Sequence, residues 1–244
     1  MSEMGSVVSG GKYGVLIKVA ERCCQHSQYQ SQFVKALLKT LHCETDERKI
    51  FLVPLVVGFL TFEKYFPTST IDLNKIPLLR NITYHGSLLL QILLKFEKKF
   101  VVVKSFLEIP SQHFVALACN ASGSHLVDIL FSSEKVRLKR KNSLVEKVKS
   151  DLHKLACDKY GSRVLENIWR QSSLKIKVAI AESLAPHDLT NNQWGKHVHR
   201  NFALKLFTER NSTWLEQQER FDNKRKLFKQ FMPDQPVQKK KKTS

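Results

Sequence analysis

With 244 residues, 42% of them hydrophobic, the chain is long enough to bury a substantial core and too apolar to be a disordered tail throughout. Its formal net charge of +18 exceeds what solubility requires, and a polyanionic partner is the simplest reason to keep it. Five cysteines, an odd number without a framework spacing, fit a reducing compartment and not a disulfide scaffold.

The opening Met1-Ser2-Glu3-Met4-Gly5-Ser6 has neither a basic start nor an apolar core, so it does not read as a signal peptide. Lys12-Tyr13-Gly14-Val15-Leu16-Ile17-Lys18-Val19-Ala20 reads as a degraded second helix of a helical unit. The longest apolar run, Ile50 to Leu60, has 11 residues and contains Pro54 and Gly58. It is too short and too interrupted to span a bilayer, so no membrane partner is expected and the run reads as a buried repeat helix. Four clear units follow. Leu117 to Asp128 and Leu155 to Glu166 match at a spacing of 38 residues, with Leu, Ala, Cys, Gly and Ser identical. Leu189 to Arg200 places its glycine 34 residues after Gly161, and Ile82 to Gln91 places its glycine 37 residues before Gly123. Gly14 precedes Gly86 by 72 residues, which leaves room for one more unit, expected over Glu47 to Phe66. A period in this range marks an all-α solenoid, whose units bury their apolar faces only by stacking on one another.

Charge is localised along this array. Residues 134 to 154, a long linker containing Ser143, carry eight Lys or Arg against three acids. Residues 220 to 244 carry nine against two, and the two segments supply +12 of the +18. One such run would read as a solvated helix face, whereas two in a repeat protein favour nucleic acid. Trp214 to Phe221 is amphipathic and fit to cover the last repeat. From Met232 the chain is Pro, Gln and Lys, a disordered basic tail whose Lys239-Lys240-Lys241-Lys242 is of the kind import receptors read. The expected organisation is helical repeats over 1–208 (degenerate in 1–72, clearer in 73–208), a capping helix over 209–231 and the tail over 232–244. A first unit already under way at residue 12 implies an array that begins mid-solenoid, as in a partial chain or short isoform.

Within Gly161 to Trp169, Val164, Leu165, Ile168 and Trp169 fall at helical spacing and define a core stripe, which puts Ser162, Arg163 and Glu166 on the opposite face. Ser162 and Glu166 are one turn apart with Arg163 beside them. Two short polar groups can hydrogen-bond a base edge while a guanidinium stacks on the ring, so the trio is a plausible base reader. Ser next to an acid suits the paired N–H donors of guanine. The bland alternative is that Ser124 and Ser162 cap their helices and the acids sit in a favourable first turn.

An aromatic-Gly followed by a five-residue motif at this period resembles the Pumilio (PUF) repeat. The wording Ala156 to Glu166, the Pro186-His187-Asp188-Leu189 lead-in and the lysine-rich end resemble more specifically the C-terminal half of a divergent, nucleolar branch of that family. The resemblance runs from about Tyr84 to Phe207. It implies a curved array that binds single-stranded RNA on its concave side, in the precursor of the small ribosomal subunit RNA, controlling its processing in the nucleus and nucleolus. A monomer without cofactor is expected, with pre-ribosomal proteins as further candidate partners. By motif position the resemblance assigns edge-reading pairs Ser162 with Glu166, Ser124 with Asp128 and Ser87 with Gln91, and stackers Arg163 and His125. Leu88 departs from the pattern at a stacking position, and Lys196 with Arg200, flanking His197, is basic and better suited to phosphate. Lys135, Arg137, Lys139, Arg140 and Lys141 form a run able to follow further phosphates.

Other chemistries are weak. His197 and His199 point to different helix faces, and Cys23-Cys24-Gln25-His26 has no second pair at zinc-finger spacing, so no metal is expected. Ser122-Gly123-Ser124-His125 sets a nucleophile near a base but recurs as Gly161-Ser162-Arg163 without the imidazole. A catalytic residue is not repeated per module, so no enzyme is expected. The competing class is a protein-binding armadillo or HEAT-like scaffold gripping an acidic peptide, which would show Asn or Trp ladders in place of Ser-x-x-x-acid pairs.

Overall fold

In the computed structural model, which describes residues 3–66, 76–79, 81–97 and 99–231, all regular structure is helical and no strand forms among the described residues. The chain opens with α1 (Glu3–Ser9) and α2 (Tyr13–Gln25), then runs through α3 (Gln30–Thr40), α4 (Asp46–Lys49), α5 (Leu52–Gly58), α6 (Phe62–Tyr65) and α7 (Tyr84–Leu93). Two regular three-helix units follow: α8 (Phe100–Glu108), α9 (Ser111–Ala118), α10 (Ala121–Ser132), and α11 (Leu138–Lys147), α12 (Leu152–Ala156), α13 (Gly161–Gln171). The last unit has α14 (Leu174–Leu184) and α15 (Gln193–Asn201), with α16 (Leu204–Glu209) and α17 (Asn211–Phe231) behind it.

The helices that carry the repeated glycine, third in the regular units and called third helices throughout, stack side by side, α2 on α7, α7 on α10, α10 on α13 and α13 on α15. The first helices form a second row, α8 on α11 and α11 on α14, and the short α9 and α12 pack beneath the third helices. Because α2 lies directly on α7, the unit expected over Glu47 to Phe66 is not a separate layer. Those residues form α4, α5 and α6, and α5 packs under α7 and against α8, so the 72-residue spacing spans one long unit. All seven residues of α5 are buried. Pro54 is tolerated in its first turn, where its missing N–H would have had no helical partner.

The repeated glycine has a steric cause. A Cβ at Gly123 would lie 2.4 Å from the carbonyl oxygen of Leu117, and one at Gly161 would lie 2.8 Å from that of Leu155 and 3.0 Å from Cys119 Sγ. At Gly195 it would meet the Leu189 oxygen at 2.5 Å, and at Gly86 the Val56 and Val57 oxygens at 2.4 Å. α7, α10, α13 and α15 therefore each start pressed onto an earlier stretch of backbone, closer than any side chain permits. Cys119 and Cys157 are half-buried and fill the matched gap against the next unit's glycine, and burial, reinforced by Asp158, pushes the Cys119 thiol up to about 12. They are packing groups, not nucleophiles.

The helix starts are satisfied by residues three before each glycine. Asn120 accepts from the Ser122 and Gly123 N–H groups at 2.8 and 3.0 Å, Asp158 from Tyr160 and Gly161 at 2.8 Å each, and Asn192 from Trp194 and Gly195 at 2.8 and 3.0 Å. Thr83 does the same for Gly86 at 3.0 Å. The capping role considered for Ser124 and Ser162 thus belongs to other residues, which supply the orphan N–H groups with an acceptor.

Behind α15, Trp169 stacks on Phe202 with centroids 4.0 Å apart, and Trp214 of α17 packs edge-on to Trp169 at 6.0 Å. Trp214 is fully buried and its indole N–H donates to the Phe202 carbonyl at 2.8 Å. Lys177, buried in α14, pairs with Asp222 of α17 at 2.5 Å, which holds the long helix across the end of the array. No single helix among the described residues is long and apolar enough to cross a membrane.

Candidate nucleic-acid interface

Each third helix has one side buried in the stack and one side turned outward. In α13 the outward side carries Arg163 and Arg170, exposed, with Glu166 half-buried between them. In α10 it carries exposed His125 and half-buried Asp128, and in α7 half-buried Leu88 and Gln91 with exposed Tyr84, followed by exposed Lys95 just beyond the helix. In α15 Lys196, His197 and Arg200 are all exposed, the Arg200 guanidinium 3.1 Å from His197 Nδ1. A column of carboxylates and carboxamides flanked by planar or cationic side chains therefore runs across the row at the repeat period.

The serines do not belong to that column. Ser87, Ser124 and Ser162 are 1%, 6% and 5% exposed, buried against neighbouring backbone and not turned outward as the helical spacing predicted. Ser87 Oγ donates across the stack to the Ser122 carbonyl at 2.6 Å, Ser124 Oγ to that of Ala121 at 3.1 Å, and Ser162 Oγ to that of Lys159 at 3.4 Å. The physical reason is the preceding glycine. It lets the helix start approach its neighbour so closely that the next position is covered as well, and only a small side chain able to bond locally fits there.

The acids are instead held by residues that sequence reasoning missed. Asn167 Nδ2 donates to Asp128 Oδ1 at 2.9 Å, and Asn201 Nδ2 donates to Glu166 Oε1 at 2.8 Å, each reaching from one third helix to the one before. The signal was available: both asparagines directly follow the fifth motif position, 34 residues apart. Burial raises the carboxyl pKa of Asp128 above its ordinary range, and the Asn167 amide, His125 and Arg170 work against that shift. In α7, which has no such partner from the next unit, Gln91 turns back and donates to its own Ser87 Oγ at 3.2 Å.

The basic run is divided by the fold. Lys135, Arg137 and Lys139 are exposed at the entrance to α11, and Arg140 is half-buried with its guanidinium 4.9 Å over the Phe100 ring. Lys141 is 9% exposed on the inward side of α11, so it is not available to a phosphate as expected. Since α11 packs on α8 and α14, most of this run is carried by the first-helix row and not beside the outward column. Lys135 is the exception: with Lys95 it lines a groove of about 400 Å³ between the C-terminal ends of α7 and α10, where helix dipoles favour cations. Lys239 to Lys242 and the rest of the tail lie outside the described residues. No three His, Cys, Asp or Glu converge on a metal-sized site among the described residues.

Residues 1–197 match the family described as NOP9-like PUF repeat domain. The chain belongs to that family. It is 30% identical over 241 residues to Nucleolar protein 9 of Mus musculus, covering 93% of this chain and 38% of that protein. The match to Nucleolar protein 9 of Homo sapiens is 30% identical over 243 residues, 94% of this chain and again 38% of the relative. The chain thus spans well under half the length of these relatives. Among solved structures it is similar to APUM23-GGAGUUGACGG, with a TM-score of 0.72 at 22% identity over 88% of this chain and 40% of that one. This likeness shows the fold, a Pumilio-like helical repeat array, as the resemblance implied.

Proposed function

We propose that this NOP9-like PUF array, spanning residues 1–208 and covered by α17, binds single-stranded RNA along the outward, concave side of its third helices and acts without catalysis. The observation that carries the reading is the column of Glu166 with Arg163, Asp128 with His125 and Gln91 with Leu88, one hydrogen-bonding group and one flanking group per repeat. A base lying flat between successive helices would meet a guanidinium or imidazole on its face and a carboxylate or carboxamide on its edge. The similar APUM23 structure is named together with GGAGUUGACGG, a uracil-containing sequence, which supports an RNA strand as the occupant. With Ser162 turned inward, recognition at that repeat falls to Glu166, which accepts from the N–H edge of a guanine while Arg163 stacks. Ser87, Ser124 and Ser162 seat the helices. Lys196, His197 and Arg200, together with Lys95 and Lys135, hold phosphates as the strand enters and leaves.

The names of the relatives support a nucleolar site of action, and the RNA proposed is the precursor of small-subunit ribosomal RNA, whose processing the bound array would control. The test is selection of the full chain against randomised single-stranded RNA. Glu166→Gln should change the base preferred at one position, and Arg163→Ala should weaken binding there by about tenfold, the loss of one stacking contact. An unchanged preference in both would sink the assignment and favour the acidic-peptide scaffold. A tagged chain truncated after Gln238 should shift from nucleus toward cytoplasm while still binding RNA. Undiminished nucleolar concentration would show that the tail is not the address.

A further inference from the structure

We propose that Asn167 and Asn201 are specificity-determining positioning residues, each fixing the carboxylate that the preceding repeat presents to a base. The inference rests on the base-reading proposal above and adds that the preference of one repeat is set partly by an amide in the next. Two independent junctions carry the same geometry: α13 to α10 through Asn167 and Asp128, and α15 to α13 through Asn201 and Glu166, with Nδ2 to carboxylate oxygen distances of 2.9 and 2.8 Å. The donors occupy the same motif position, one residue beyond the fifth, although the two contexts differ in burial. Asn167 is 9% exposed and its amide also lies 3.3 Å from the Asp128 carbonyl and from Ser132 Oγ, whereas Asn201 is exposed and makes the single bond to Glu166.

A carboxylate on a free glutamate stem samples several rotamers, and its two oxygens together offer about four lone-pair sites. One amide N–H from a neighbouring helix removes most of that freedom and uses one site. The second oxygen is left to accept from a base lying between the two repeats. An ionised carboxylate only accepts, so it can take both guanine N–H donors and is mismatched to N1 of adenine and O4 of uracil. The α7 junction is the internal contrast. Ile129 stands in α10 where Asn167 and Asn201 stand in α13 and α15, and Gln91, lacking a partner across the junction, bonds within its own helix. Among α7, α10 and α13, the helix with no positioning amide is thus also the one whose fifth-position group is neutral and folded back.

The experiment uses the full chain, an RNA selected from a randomised single-stranded pool, and variants of that RNA with each base changed in turn. Asn201→Ala should reduce the preference at the one position sensitive to Glu166→Gln by about three- to tenfold, the worth of one lost hydrogen bond, and leave the other positions and the melting temperature unchanged. Asn201→Gln, which keeps the amide donor, should recover most of the preference. Asn167→Ala should act at the neighbouring position sensitive to Asp128→Asn, with some loss of melting temperature because that side chain is buried. If Glu166→Gln alters the preference and Asn201→Ala does not, the positioning role is overturned while base reading stands. If neither variant alters any preference, both fall together. A uniform loss of affinity at all positions in Asn201→Ala would show a structural role and overturn the proposal as well.

Discussion

At its C-terminal end the array is closed by α17, which buries Trp214 completely and pins Asp222 to Lys177, whereas at the N-terminal end α2 leaves Val15 and Val19 52% and 46% exposed. Those side chains, with Tyr29 and Phe33, line a groove of about 960 Å³. The glycines repeat the contrast. A Cβ at Gly123 would collide with Leu117 backbone, while one at Gly14 would meet nothing within 4 Å. One motif residue thus has two different roles: close approach is required where two helices of a unit meet at their ends, and is absent where α2 starts without such a neighbour. A glycine in a repeat register is evidence of packing only when another backbone lies against it.

The comparison can be broken first at its covered end. Trp214→Ala should cost about 3–5 kcal/mol, since it removes an indole from between Trp169, Phe207 and Phe202 and leaves the Phe202 carbonyl without its donor. Denaturant unfolding followed by Trp fluorescence would measure it, and a loss below about 1 kcal/mol, the range of an ordinary surface change, would mean that α17 does not cover the array. Next comes Gly123→Ala, expected to destabilise by about 1–3 kcal/mol because the new methyl must displace Leu117 backbone. Gly14→Ala should have the opposite sign, stabilising by about 0.5–1 kcal/mol as an unobstructed helical site gains helix propensity. Equal effects at the two glycines would end the distinction between them. Asn120→Ala should lose about 1 kcal/mol by stripping the cap from α10, read in the same assay.

Smaller effects sharpen the electrostatics. Replacing Lys135, Arg137 and Lys139 by Ser should flatten the dependence of RNA affinity on salt, whose slope is about −0.7 per phosphate neutralised. Adding Lys141 to the set should change nothing further in that slope, because that side chain is buried. Burial lowers the imidazole pKa of His113, and of His153, where the neighbouring His187 adds to the shift. Both are therefore favoured neutral in the fold. Their stabilising contribution is fully present above about pH 6.5, the ordinary imidazole value, and is lost as pH falls through their depressed values. Melting temperature should drop between pH 7 and 5, and His113→Gln should remove part of that drop.

Legibility in the sequence followed the physics of each feature. The repeat period, the all-helical class and the core stripe of Val164, Leu165 and Ile168 depend on 3.6-residue spacing within one helix, and all three of those residues are wholly buried. The caps at Asn120, Asp158 and Asn192 were equally local and could have been read from an Asn or Asp three residues before each glycine. Arg163 is exposed as the helical spacing predicted, and His125 and Lys196, at the matched motif positions, are exposed as well.

What spacing along a single helix did not determine was the fate of positions at the edge of the stripe. Whether Ser162 is outward or covered, whether Lys141 faces phosphate or core, and whether Glu166 is free or held by Asn201 depend on how closely the next helix approaches. The same holds for Glu47 to Phe66, whose 72-residue interval is compatible with one long unit or two short ones until α2 is found lying on α7. The sequence alone determined which residues repeat and which face is apolar, because those follow from covalent order and helix geometry. The stacking of one unit on another decided which polar groups are buried, bridged or left outward, because that is a property of two backbones and the distance between them.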